Sequence, residues 1–226
     1  DEQDALASQA GDPERPAALR AAAWIEHGQR AEQQAGDDTQ ALRSYRNALE
    51  LVPDHPVAIN LAIESTLRLG QRDAAVALVT HHLTSLGSGT NSSTQELPAL
   101  RSVRLLELAE LADDPGTMRE HLRLAVAADP DNATALRRLI RSLRSDSSDS
   151  SDRDSPPELP ELYRRLARLA PDPVTAATSL QLAVLSVGPG EVPRHVLEDS
   201  RDWLDIHGTD SAAHGLLDAL VRNFGQ

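Results

Sequence analysis

The stretch Gly36-Asp37-Asp38-Thr39-Gln40-Ala41-Leu42-Arg43-Ser44-Tyr45-Arg46-Asn47-Ala48-Leu49-Glu50-Leu51-Val52-Pro53-Asp54 decides the fold. Asp37, Asp38 and Thr39 supply cap-type oxygens, and Ala41, Leu42, Tyr45, Ala48, Leu49 and Val52 recur at helical spacing until Pro53 stops the run. Upstream, Pro16 sits where a first helical turn tolerates proline, and Ala17 to Ala35 continues without a breaker to Gly36. Two helices joined at a glycine are predicted. Downstream the cycle restarts at Pro56, runs through Ile59, Ala62, Ile63 and Leu67 to Gly70, then from Asp73 through Ala75, Val76, Val79 and Leu83.

Thirty-four residues separate Gly36 from Gly70 and Ala41 from Ala75, and Val79 takes the place of Tyr45. Paired helices at such a period form units that cannot bury their faces alone and must stack. With its small residues at the turn and in the second helix, its aromatic, its second Ala and its closing Pro, the quoted stretch resembles the tetratricopeptide repeat (TPR) family. The resemblance implies an all-α, right-handed α-α superhelix of antiparallel helix pairs. It also implies a concave groove that holds a peptide or a partner helix, lined by Glu26, His27, Arg30 and Gln33 and then by Asn60, Glu64 and Arg68. Chaperone-tail-binding members grip a terminal carboxylate with Lys, Asn and Arg; this chain has no Lys, and Asn60 falls one place before the matching position.

Beyond these units the pattern degenerates. Ala125-Val126-Ala127-Ala128-Asp129-Pro130-Asp131-Asn132 closes a third unit, in which Met118 replaces the small Ala and Asp113 the turn glycine. A fourth is detected internally. Leu108-Ala109-Glu110-Leu111-Ala112-Asp113-Asp114-Pro115 recurs 58 residues later as Leu166-Ala167-Arg168-Leu169-Ala170-Pro171-Asp172-Pro173, and Leu122 to Val126 recurs as Leu180 to Val184 at the same offset. Val192 to His207 and Ser211 to Phe224 read as two last helices, and strands are predicted nowhere.

The organisation expected is a polar tail over 1–15, two TPR-like units over 16–86 and a flexible loop over 87–96. A degenerate unit plus following helix covers 97–144, a Ser/Asp-rich spacer 145–157, and C-terminal helical repeats with a capping helix 158–226.

Composition excludes much chemistry. A net charge of −13 from 22 basic and 35 acidic residues opposes nucleic acid, since counterion release needs a basic footprint. Five aromatics are too few for a stacking platform. With no cysteine, thiolate catalysis and iron–sulfur ligation are impossible. Every cation is Arg, so a Walker lysine and a Schiff base are excluded. Neither a nucleophile elbow nor a metal-ligand spacing among the eight His appears, no cofactor is implied, and no apolar run reaches membrane-span length.

Arg137, Arg141 and Arg144 fall at i, i+4 and i+7 of one helix, a cationic stripe on an acidic molecule. Arginine forks pair carboxylates bidentately, so an acidic peptide or C-terminus is the ligand such a stripe suits; solvation of the stripe, or neutralisation by the acidic spacer, is the plainer account. The reading is a non-catalytic adaptor or scaffold of bacterial type that binds a protein or peptide partner. Self-assembly through unsealed ends of the array, or a regulatory part of a larger protein, are the alternatives. Asp1-Glu2-Gln3-Asp4 without an initiator Met suggests an excised or mature piece, and leaves cytoplasm and periplasm or envelope both open.

Overall fold

A computed structural model describes residues 2–88, 96–149, 156–188 and 191–224. Those residues form α1 (Glu2–Gly11), α2 (Ala17–Arg30, continued by a π-helical turn, Ala31–Ala35), α3 (Asp38–Leu51), α4 (Pro56–Arg68) and α5 (Arg72–Ser88). There follow α6 (Glu96–Glu110), α7 (Pro115–Ala128), α8 (Ala133–Asp149), α9 (Leu159–Arg168), α10 (Pro173–Leu185), α11 (Arg194–His207) and α12 (Ser211–Phe224). No strand occurs among the described residues. Each helix packs on the next within two compact units, residues 1–93 and 94–226. This all-α succession of helix pairs is the architecture that the TPR resemblance implies.

In the first unit small residues let helices close on each other. Ala21, Ala31, Ala41, Ala48, Ala58, Ala62 and Ala75 are fully buried. Gly28 makes the tightest approach: a Cβ there would lie 2.5 Å from the Tyr45 ring. Tyr45 is itself wholly buried among Ala31, Ala41, Leu42 and Ala62. Gly36 and Gly70 are the two positive-φ residues among those described, at 60° and 71°, and each ends the first helix of its pair. They close different turns. After Gly70 the Gln71 amide donates to the Thr66 carbonyl, whereas after Gly36 the Asp37 amide reaches one residue further back, to Ala31.

The 58-residue recurrence is α6–α7 answered by α9–α10. Asp114 caps α7 by accepting from the Thr117 amide at 2.9 Å, and Asp172 caps α10 by accepting from the Thr175 amide at 2.8 Å. These hydrogen bonds, from Thr117 hydroxyl first in one case and from the Thr175 amide first in the other, hold both carboxyls below their usual range. Leu122, Ala125 and Val126 are buried as Leu180, Ala183 and Val184 are. Beyond this pair, α10 packs on both α11 and α12.

Three boundary expectations change. Residues 1–15 are not merely a polar tail: Leu6 and Ala10, four apart, are buried as α1 packs on α2, and the Arg20 Nε donates to the Ala10 carbonyl at 3.0 Å. The loop expected over 87–96 yields its ends to helix, α5 reaching Ser88 and α6 beginning at Glu96, while 89–95 lie outside the described residues. The spacer expected over 145–157 begins as helix, since α8 runs to Asp149; residues 150–155 lie outside those described.

Candidate functional site

The candidate site is built on α8. Its amphipathic spacing buries Ala135, Leu136, Leu139, Ile140 and Leu143 and leaves Arg137, Arg141 and Arg144 exposed. The helix start is pinned. The Asn132 side-chain oxygen accepts from the Thr134 and Ala135 amides, both at 3.1 Å; its Nδ2 donates to Ser102 at 2.9 Å, and Ser102 donates to the Ala125 carbonyl. Arg138, one step round the helix, is tied to Glu110. Arg137, Arg141 and Arg144 form no ion pair among the described residues.

Beside this stripe a cleft of about 460 Å³ is lined by Arg137, Ile140, Arg141, Arg144 and Ser145 of α8, Tyr163 and Leu166 of α9, and Leu182 of α10. Its lining joins the three exposed arginines to Ile140, Tyr163, Leu166 and Leu182, which are buried or half-buried and are taken as its apolar floor. A second cleft, about 410 Å³, is lined by Ala109, Glu110, Met118, Leu122, Arg138, Arg141, Ser142 and Ser145, so Arg141 and Ser145 border both.

The floor is held in place by charge. Glu161 on α9 accepts from Arg164 at 2.7 and 2.9 Å and from Arg165 at 3.0 Å, and the His195 Nε2 on α11 lies 3.1 Å away. The Arg164 hydrogen bonds foremost, then those of Arg165, push the Glu161 carboxyl down to about 2. Asp199 on α11 accepts from Arg164 at 3.2 Å and Arg168 at 3.1 Å, fastening α9 to α11. Arg123 of α7 reaches Glu158, just before α9, at 2.6 Å.

In the first unit the residues assigned to a groove separate into kinds. Glu26, Gln33, Asn60 and Glu64 are exposed. Arg30 is half-buried and pairs with Glu26 at 2.7 Å. His27 does not belong to a groove surface: it is 7% exposed, its Nδ1 lies 2.8 Å from the Ser44 hydroxyl, and Trp24 packs edge-on against its ring. Because the Ser44 hydroxyl donates to the Gln40 carbonyl at 2.9 Å, the His27 Nδ1 carries the hydrogen of that contact.

Arg68 is exposed yet heavily engaged. It meets Asp38 at 2.7 Å, Glu32, the Ser65 hydroxyl at 3.0 Å and Glu64 at 4.0 Å. Behind this network the Tyr45 hydroxyl is buried without a hydrogen bond; burial foremost, then the nearby Glu32 charge, raises its pKa. The carboxylates Glu32 and Asp38, and the floor residues Tyr163, Leu166 and Leu182, were not singled out by the sequence as parts of any site. Among the described residues no three His, Asp or Glu stand together as a metal would need, and no helix is long and apolar enough to cross a membrane.

No protein-family model matches the chain, and no curated protein matches it. Among solved structures it is similar to the crystal structure of MamA protein, at 15% identity and a TM-score of 0.44, covering 84% of this chain and 93% of that one. It is also similar to YrrB, described as a TPR protein with an unusual peptide-binding site, at 18% identity and a TM-score of 0.44, covering 96% of this chain and 95% of that one. A further MamA structure has 16% identity and a TM-score of 0.42, covering 85% and 92%.

Proposed function

We propose that this chain is a non-catalytic interaction module whose α8–α10 cleft holds an acidic peptide or the acidic face of a partner helix. One observation carries the reading: three arginines at i, i+4 and i+7, without ion-pair partners among the described residues, edge a cleft whose floor is Tyr163, Leu166 and Leu182. A peptide carrying carboxylates beside an apolar anchor meets both features, the carboxylates on the guanidinium forks and the anchor on the floor. In the first unit the same reading assigns Glu26, Asn60 and Glu64 to partner contact, with Arg30 and Arg68 acting through the carboxylates they hold.

The test is fluorescence anisotropy with a labelled peptide of alternating Asp and Leu, against a Lys/Leu peptide of equal length. The acidic peptide is expected to bind and the basic one not. Arg141→Glu should weaken binding tenfold or more, roughly 1.5 kcal/mol for one charge-assisted hydrogen bond. Binding that survives simultaneous reversal of Arg137, Arg141 and Arg144 would overturn the assignment.

A further inference from the structure

A different helix carries a surface of another kind. On α12, Ala213, Leu216, Ala219 and Asn223 are buried, and the Asn223 Nδ2 donates to the Gly188 carbonyl at 3.0 Å. Next to that buried face, Leu217, Val221 and Phe224 recur at i, i+4 and i+7 and are 44%, 66% and 51% exposed. A continuous apolar stripe along a helix is the seam another helix fills. One step further round stand Asp218 and Arg222, both exposed. Four residues apart though they are, neither makes an ion pair among the described residues.

We infer that α12 is a self-association surface, on which a second copy of this chain packs antiparallel, stripe against stripe. The charges select this occupant. With a two-fold axis beside Leu220, residues 218 and 222 of the two copies lie opposite each other on the same side of the seam. Asp218 of each copy then meets Arg222 of the other, and symmetry makes two ion pairs from one acid and one base. Leu217, Val221 and Phe224 interleave between them. A helix of 14 residues is about 21 Å long, and three apolar side chains cover well under the ~800 Å² per partner of a standard interface. The association is therefore concentration-dependent, with a dissociation constant on the order of 100 μM.

Sedimentation equilibrium of the full chain over a concentration series, from about 10 μM to about 1 mM, reads it directly. The mass average should climb from monomer toward dimer. Val221→Glu, at an exposed position that leaves the fold intact by circular dichroism, should keep the chain monomeric. Asp218→Arg and Arg222→Asp should each weaken association, and the two together should restore it, which a merely sticky patch would not do. A wild type that stays monomeric to the top of the series overturns the inference and leaves the stripe to an unlike partner. Association untouched by Val221→Glu overturns it too, by placing the contact elsewhere, and a charge swap that fails to restore association overturns the antiparallel arrangement.

Discussion

The hairpins α2–α3 and α4–α5 keep the same 34-residue spacing and solve the same packing problem with different side chains. In the first, Gly28 lies against the ring of Tyr45; in the second the matching positions are Ala62 and Val79. At the same two places one hairpin carries a glycine with a large ring and the other an alanine with a small branched chain, so what one position gains in bulk the other gives up in part. Alongside, the first hairpin buries a polar pair, His27 and Ser44, where the second has Leu61 and Leu78. A repeat thus constrains the space between its helices more tightly than the residue at any one position.

The largest expected effect separates the two solutions outright. Tyr45→Ala should destabilise the first unit by about 3–5 kcal/mol in denaturant unfolding, since a fully buried ring leaves a large void, while Val79→Ala should cost about 2 kcal/mol. Equal losses would mean that both hairpins rest on generic apolar packing. A medium effect tests the shared volume. Gly28→Ala gains about 1 kcal/mol of helix propensity but forces a methyl to 2.5 Å from a ring with no room to retreat, an overpacking cost of about 1–3 kcal/mol. Net destabilisation is expected. Combining it with Tyr45→Val installs the second hairpin's pair, and the double variant should be more stable than the two single losses predict; strict additivity would contradict shared space.

The smallest effect sets the second unit apart. Glu161 has its carboxyl lowered from 4.5 to about 2 by Arg164 and Arg165. A lowered folded-state value means that the unfolded chain takes up the proton first, so this contribution is complete above about 4.5 and disappears as pH falls toward about 2. Acid titration of the melting temperature should fall through that window, and Glu161→Gln should flatten the fall. An unchanged slope would mean that the pairs Glu161 makes with Arg164 and Arg165 along α9 add nothing to stability.

Much of the fold is written locally, in periodicity and caps. Gly36, Pro53 and the Asp-Pro-x-Thr starts of α7 and α10 mark their boundaries because each acts within four residues of itself. α1 escaped because Leu6 and Ala10 are a short stripe in a polar segment, stabilised by what α2 supplies. The extra turn of α8 lies among serines and aspartates, whose composition argues for a spacer. Of the site, the arginine stripe is legible since one helix sets it. Its floor is not, because Tyr163, Leu166 and Leu182 reach Arg137 and Arg141 only through packing across about 20–40 residues of intervening chain, a separation local pattern does not encode. The burial of His27 is legible only through the repeat: its counterpart 34 residues on is Leu61, a packing residue, which marks position 27 as facing a neighbour.

The contact at Arg68 bears on the rest of the surface. One guanidinium there serves Asp38, Glu32 and, at longer range, Glu64, in a chain whose acids outnumber its bases by 13. Counter-charge is scarce, and its allocation is uneven, with three arginines adjacent on α8 and unshared among the described residues. On the proposed reading an acidic peptide, repelled by the net charge at a distance, would be turned toward the α8 arginines once within a screening length, ~10 Å at 0.1 M salt. Ionic strength would then act first on the rate of that encounter.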